Sequence, residues 1–360
     1  MEVESRFKMN KLIEHYKNLH RIPEEGFKEF KTQQYILEQL RNINCKIFTI
    51  EPTGVLAFFD YGFTECIAFR CEMDGLPILE KNDFDYISTH EGWMHACGHD
   101  GHMAIMLSFA KALENIKCPR NICLIFQPSE ETYGGALKII NSTEFKHMNI
   151  VEVYGLHLWP NLKKGVIASR GNSLMASSTE IDIHIIGKSV HIAEKEKGID
   201  AIEAARYLLS NIKTEEDVIF NCGKITSSGA RNVVCDNVLL ECSLRTLYKI
   251  KRKKFLKNLN EKAKVISNEQ KANVYVVSNR YIPEVRNSVI LFEKYRHLID
   301  EVIAPVYQAE DFSFYNEHSK TLFLFLGVGN TSNLHSDDFK FDTELLEKGV
   351  KIFRAIATSR

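Results

Sequence analysis

Strand-length apolar runs that recur between helical patterns constrain this chain more than any other feature. Asn121-Ile122-Cys123-Leu124-Ile125-Phe126, Val151-Glu152-Val153-Tyr154-Gly155-Leu156 and Thr321-Leu322-Phe323-Leu324-Phe325-Leu326 would place apolar groups on both sides of an extended backbone. Such strands need cover on both faces, which a sheet between helices supplies. Shorter β-like runs fall at 45–50, 54–61 and 66–71, and apolar positions at helical spacing predict helices over 8–20, 29–41, 98–113 and near 136–141. The alternation indicates an α/β sheet, whose ligands gather in loops at the carboxyl ends of strands.

From about Ser177 the character changes. Residues 179–186 alternate as a half-exposed strand, 201–212 read as helix, 238–244 as strand, 249–266 as helix and 273–277 as strand. Taken as β, α, β, β, α, β, with one strand that the pattern does not locate, the order is that of a small sheet with two helices packed on one side. Beyond it the pattern predicts a helix over 286–302, then the last buried strand. A length of 360 residues suits two domains, each able to bury a core unaided.

With 46 Lys+Arg against 47 Asp+Glu, the charge balance gives no reason to expect nucleic acid or an anionic membrane as partner. The one basic run, Lys249-Ile250-Lys251-Arg252-Lys253-Lys254-Phe255-Leu256-Lys257, has the spacing of a solvated helix face. No uninterrupted apolar run approaches the roughly 20 residues that cross a bilayer. The charged start, Met1-Glu2-Val3-Glu4-Ser5-Arg6, lacks a following apolar segment, so no secretory signal and a cytoplasmic location are expected. Nine cysteines without regular spacing then mean reduced thiols, and Cys45, Cys66, Cys71, Cys118, Cys123, Cys222 and Cys242 are expected to be small buried hydrophobes.

Chemistry concentrates in His95-Ala96-Cys97-Gly98-His99-Asp100-Gly101-His102, one thiol, three imidazoles and a carboxylate bracketed by glycines. Thiolate and neutral imidazole are preferred ligands of zinc and its first-row neighbours. Four more features stand where strands are expected to end: Cys71-Glu72-Met73-Asp74-Gly75-Leu76-Pro77, Gln127-Pro128-Ser129-Glu130-Glu131, His157, and His335 in Asn333-Leu334-His335-Ser336-Asp337. Adjacent strand residues point to opposite faces, so Glu130 and Glu131 can serve one site only on the irregular backbone that Pro128 and Gly134-Gly135 provide. One of the pair can bind metal while the other carries protons. Cys97, His99, Glu131, His157 and His335 are the candidate ligands. Five donors exceed what one zinc accepts, which favours two ions with a shared ligand.

These motifs, with Leu19-His20-Arg21-Ile22-Pro23-Glu24-Glu25-Gly26-Phe27 and Ala309-Glu310-Asp311-Phe312-Ser313, resemble the metal-dependent amidohydrolases of the aminoacylase and carboxypeptidase family. Within it they look like the branch of hippurate hydrolases, indole-acetyl amino acid hydrolases and N-acetyl amino acid deacetylases. The resemblance runs from about His20 to Phe341. It implies a catalytic domain of mixed sheet flanked by helices over 1–176 and 285–360, with an inserted α+β, ferredoxin-like lid and dimerisation domain over 177–284. It makes Cys97 the ligand shared by two divalent ions (zinc, manganese, cobalt or nickel) and His99, Glu131, His157 and His335 the other ligands. Glu130 matches the family's catalytic glutamate and Asp74 the acid that orients a ligand. His191, in Ile186-Gly187-Lys188-Ser189-Val190-His191, resembles the lid histidine that reaches the partner subunit's site in a homodimer. Asn232 and Arg245 lie in segments similar to the substrate-contact region.

The implied reaction is hydrolysis of an N-acyl amino acid. In that reaction Glu130, its pKa raised in a closed cleft, would move a proton from water to the departing amine, His191 would meet the oxyanion and Arg245 or Asn232 would hold the carboxylate, while paired ions would lower the pKa of the water. The family commonly has Asp where Glu72 stands, Pro where Cys235 stands, and a Pro after the His191 block where Ala193-Glu194-Lys195-Glu196-Lys197 runs. The lid departures bear on substrate preference more than on the reaction. A dipeptidase or aminopeptidase of the same family, or a noncatalytic metal-binding protein keeping the fold, are the alternatives.

Overall fold

The computed structural model describes residues 2–132 and 134–360. The chain divides into two compact units. One holds residues up to Asn172 with Arg286–Ala304 and Asp311–Arg360; the other holds Ser173–Val285 and Pro305–Glu310. The segment Pro305–Glu310 joins the second unit because the Ala176 N–H donates to the Val306 and Gln308 carbonyls, each at 3.0 Å. Nothing in the sequence between 177 and 284 announces that return.

The larger unit is built on a mixed eight-stranded sheet in the order Lys46–Ile50, Gly54–Phe59, Asn121–Gln127, Cys66–Glu72, Ile150–Pro160, Lys320–Gly329, Ile167–Ser169, Glu301–Val302. Its four central strands run parallel, so their carboxyl ends share one edge. These are the continuous apolar runs of the sequence, and every residue of Cys66–Glu72 and Asn121–Gln127 is buried. Helices Glu2–His20, Phe30–Leu40, His99–Leu113 and Leu346–Thr358 share one core with this sheet. Only Ser108, Lys111 and Ala112 of His99–Leu113 escape burial. Its neighbour comes in close because Gly349 lacks a Cβ, which would stand 2.5 Å from Ile105 Cδ1.

The second unit is a four-stranded antiparallel sheet in the order Asn273–Ile282, Ser177–Ile186, Asn237–Thr246, Val218–Ser227. Helices Ala201–Asn211 and Lys249–Gln270 bury their apolar faces on it, through Ala204, Leu208, Phe255 and Leu259 against Ile181, Ile183, Ile185 and Leu240. The order βαββαβ with this strand sequence is the ferredoxin-like arrangement.

Three sequence expectations need correction. The helix over 286–302 is instead the strand Val285–Asn287, a short helix Val289–Lys294, a 3₁₀ turn Arg296–Leu298 and the strand Glu301–Val302. Asn287 and Ser288 break it. The Asn287 carboxamide accepts from the Phe323 N–H at 2.7 Å and donates to Ser169 Oγ at 2.9 Å, while Ser288 caps the short helix. Second, the strand expected to close before His157 runs on to Pro160, because pairing with Lys320–Gly329 continues through His157. Third, Cys45 and Cys222 are only half-buried, whereas Cys66, Cys71, Cys118, Cys123 and Cys242 are buried as expected. Among the described residues no helix is long and apolar enough to cross a membrane.

Candidate metal centre

Gly98, at φ 81°, precedes the first turn of His99–Leu113 and turns the chain so that Cys97 and His99 meet. A left-handed residue there favours glycine. The His99 Nδ1–H donates to the Asp74 carbonyl at 2.8 Å, which leaves the buried Nε2 without a hydrogen-bond partner. In the same way the His157 Nδ1–H donates to the Leu158 carbonyl at 2.7 Å, and its Nε2 lies 3.5 Å from Cys97 Sγ. His335 comes from the loop after Lys320–Gly329; its N–H donates to the Ala96 carbonyl at 2.9 Å and its half-exposed ring places Nε2 3.1 Å from Glu131 Oε1. Those two atoms face each other without hydrogen-bond alignment.

Glu130 and Glu131 follow the strand Asn121–Gln127 on backbone that leaves the sheet at once. Ser129 is left-handed at φ 51°, and its N–H donates to Glu29 Oε1 at 2.8 Å. The Gly135 N–H then closes the loop on the Ser129 carbonyl at 2.9 Å, in a space where a Cβ would stand 1.6 Å from the Pro128 carbonyl oxygen. Asp74 Oδ2 accepts the Glu131 N–H at 2.9 Å, and Oδ1 of the same carboxylate lies 3.4 Å from His99 Nδ1. One acid therefore touches a ring and the backbone of two candidate ligands.

The donor atoms of Cys97, His99 and His157 lie within 4.8 Å of one another, and so do those of Cys97, Glu131 and His335. Cys97 is common to both groups. Glu130 forms a further group with His99 and Glu131 at the same spacing. Glu72, His99 and His102 also converge, but both His102 nitrogens are engaged elsewhere, with Glu72 Oε2 at 2.7 Å and the Leu158 N–H at 2.9 Å.

The electrostatics suit cations. Burial and the carboxylates of Glu131 and Glu130 push the Cys97 thiol well above its ordinary pKa, so a thiolate forms here only against added positive charge. A sulfur, three imidazoles and a carboxylate match the donor preferences of zinc and its neighbours, and the unpartnered Nε2 of His99 is the kind of buried polar atom a metal satisfies. The five residues could thus hold two ions with the sulfur between them.

His191, Asn232 and Arg245 all lie in the second unit. His191 pairs with Val233, and its Nδ1 accepts the Ala193 N–H at 3.2 Å; the Asn232 carbonyl accepts the Ile192 N–H at 2.9 Å, so the first two are neighbours. Arg245 stands apart, half-buried on Asn237–Thr246 opposite Ser178 and Ile219.

A profile of peptidase family M20/M25/M40 matches residues 68–359. The chain belongs to this family. The chain is similar to an uncharacterised hydrolase of Staphylococcus saprophyticus subsp. saprophyticus, 32% identical over 97% of this chain and 97% of that protein. A protein of methicillin resistant Staphylococcus aureus, provisionally named an aminohydrolase, superposes with a TM-score of 0.91 at 25% identity, covering 98% of this chain and 97% of its own. The YXEP protein of Bacillus subtilis, a dinuclear metal-binding peptidase of the M20 family, superposes at 0.89 with 27% identity over 98% of each chain. This M20 hydrolase also carries groups that sequence reading passed over. Glu29, from the Leu19–Phe27 neighbourhood, anchors the Ser129 loop, and burial raises its pKa to about 7 against the Thr53 hydrogen bond. Arg70, Gln127 and Asp311 form a buried network beside it, with Arg70 Nη2 2.7 Å from Asp311 Oδ1 and Gln127 Nε2 2.8 Å from the same atom. For Arg70 the available signal was a charge inside the apolar run Ile67-Ala68-Phe69-Arg70-Cys71.

Proposed function

We propose that this M20 hydrolase cleaves the amide bond of N-acyl amino acids, releasing a carboxylate and a free amino acid. The observation that carries the reading is the Cys97 sulfur common to two donor triads, with Glu130 beside them. Cys97, His99 and His157 would hold one divalent ion and Cys97, Glu131 and His335 the other, zinc, manganese, cobalt or nickel being compatible with the donors. Bound there, such ions supply Lewis acidity and lower the pKa of water toward neutrality.

The chain's own groups do the rest. Glu130, 9% exposed, is sheltered enough to take a proton from water and return it to the departing amine. Asp74 keeps the His99 ring and the Glu131 backbone in place. His191 of a second copy would hydrogen-bond the developing oxyanion, and Arg245 or Asn232 would hold the substrate carboxylate. A homodimer through the lid is part of the proposal. Val218–Ser227 is an edge strand with Ile219 and Ile225 exposed, a surface that a second copy can cover. The unpaired state of all nine cysteines fits a cytoplasmic protein.

A peptidase reading is favoured by the description of the family and by that of the Bacillus subtilis neighbour. A noncatalytic metal protein would have no use for Glu130 beside Glu131. Free amine is to be measured from N-acetyl and N-benzoyl amino acids alongside dipeptides, after chelation and re-addition of single metals. Metal-restored cleavage of the N-acyl panel supports the proposal; cleavage confined to dipeptides, or none with any metal, overturns it.

A further inference from the structure

We propose that His102 is a positioning residue, holding the backbone at Leu158 so that the His157 ring is aimed at the Cys97 sulfur. This rests on the binuclear reading above and deepens it.

The geometry fixes the roles of both ring nitrogens. A backbone N–H can only donate, so His102 Nε2, 2.9 Å from the Leu158 nitrogen, is the acceptor. The ring proton is therefore on Nδ1, where it is donated to Glu72 Oε2 at 2.7 Å. Glu72 is itself clamped by Arg70, whose guanidinium also holds Gln127 Oε1 at 2.9 Å and Asp311. His102 is thus the end of a buried rail that starts at the sheet centre, and each of these groups is under 2% exposed except His102 itself at 2%.

The rail meets the strand where a partner is missing. Pairing of Ile150–Pro160 with Cys66–Glu72 ends at Arg70 opposite Gly155, two residues before His157. Beyond that point the imidazole of His102 does for Leu158 what a neighbouring strand would do. A buried N–H left alone there would carry the cost of an unmade hydrogen bond. Leu158 contributes twice, since its carbonyl receives the His157 Nδ1–H and so fixes which nitrogen of that ring faces Cys97. The rings of His102 and His157 also lie edge to face, centroids 4.6 Å apart, which limits rotation of the latter. A carboxylate–imidazole–peptide chain behind a ligand is the type of support that sets its orientation and basicity.

Three substitutions separate positioning from bulk packing. His102→Gln keeps an acceptor for the Leu158 N–H, His102→Asn keeps a donor for Glu72 but does not reach Leu158, and His102→Phe removes both. Cobalt(II) affinity of the two sites is to be read by competition with a coloured chelator, together with the melting temperature of the metal-free proteins. The expectation is that Asn and Phe weaken one of the two ions by roughly 10- to 100-fold while the other changes little, and that Gln restores most of the loss. Equal affinity for both ions in Asn and Gln, or parallel loss of both ions tracking the melting temperature, overturns the inference. Should Phe not fold, the Asn and Gln pair decides. Failure of the wild-type protein to bind two ions would instead overturn the binuclear reading itself.

Discussion

Arg70 is the largest of the fully buried side chains described, and its substitution tests whether charge or volume matters beside the candidate metal centre. Its guanidinium serves Glu72, Asp311 and Gln127 from the middle of an all-buried strand. Arg70→Met keeps most of the volume and removes the charge, leaving two buried carboxylates short of a partner. Removing one side of a buried ion pair costs about 3–5 kcal/mol. At roughly 2.1 cal/mol/K of melting entropy per residue, that lowers the melting temperature by about 4–7 °C in a chain of 360 residues. The pH dependence identifies the cause. Burial already raises the Asp311 carboxyl with Arg70 opposing it, and burial acts on Glu72 too, where Arg70 and His102 more than offset it and hold it well below the usual range. Without Arg70 both carboxyls rise above their unfolded values. Groups raised on folding are least costly when protonated, so the deficit is greatest at pH 8 and shrinks toward pH 5.5, by up to about 1.4 kcal/mol per unit for each carboxyl. Urea unfolding of the metal-free proteins, followed by near-ultraviolet circular dichroism at both pH values, measures it. A deficit under about 1 kcal/mol would refute the charge argument. So would an equal deficit at both pH values, which is the mark of a packing defect.

Glu130→Gln is expected to bind both metals while kcat falls by about 10²–10⁴-fold, checked by plasma emission and amine release; normal turnover excludes Glu130 as the proton carrier. Gly135→Ala forces the Pro128–Ser129 backbone aside, so N-acyl amino acid cleavage should drop by more than tenfold with the second unit still folded, and wild-type kcat/KM would contradict the loop's tight closure. His20 offers a second pH readout in the metal-free protein. Burial disfavours its charge, yet hydrogen bonds to Asp100 at 2.6 Å and Glu80 at 2.9 Å raise its pKa to about 9. Its contribution, on the order of 3 kcal/mol, is complete below the unfolded value of 6.5 and lost as pH climbs from there to about 9. Urea midpoints should fall across that window in the wild type and stay flatter in His20→Gln; identical slopes would contradict it.

Much of the fold was legible because the central strands declare themselves through unbroken apolar runs, and the second unit through the period-two alternation of 179–186. Val218–Ser227 was not located, since an exposed edge strand interrupted by Gly223 has no apolar period to read. The 286–302 segment misled for a different reason. Its apolar spacing is helical, but Asn287 and Ser288 have side chains that compete for the backbone, and tertiary contacts to Phe323 decide the outcome. At the site, Cys97, His99, Glu131, His157 and His335 stood out as metal-binding residue types, and the structure draws their donor atoms together. Glu29 and the Arg70–Asp311 network did not stand out. Their importance comes from contacts 100 and 241 residues away in sequence, which no local pattern encodes. For His102 the clue was its place in the His-rich block, but only its two partners distinguish it from a ligand.

The central claim is that one sulfur serves two ions. Metal content per chain, measured by plasma emission on wild type and Cys97→Ala after saturation and desalting, tests it most directly. The account predicts two ions in the wild type and fewer than two in the variant; two ions retained without the Cys97 sulfur would contradict it.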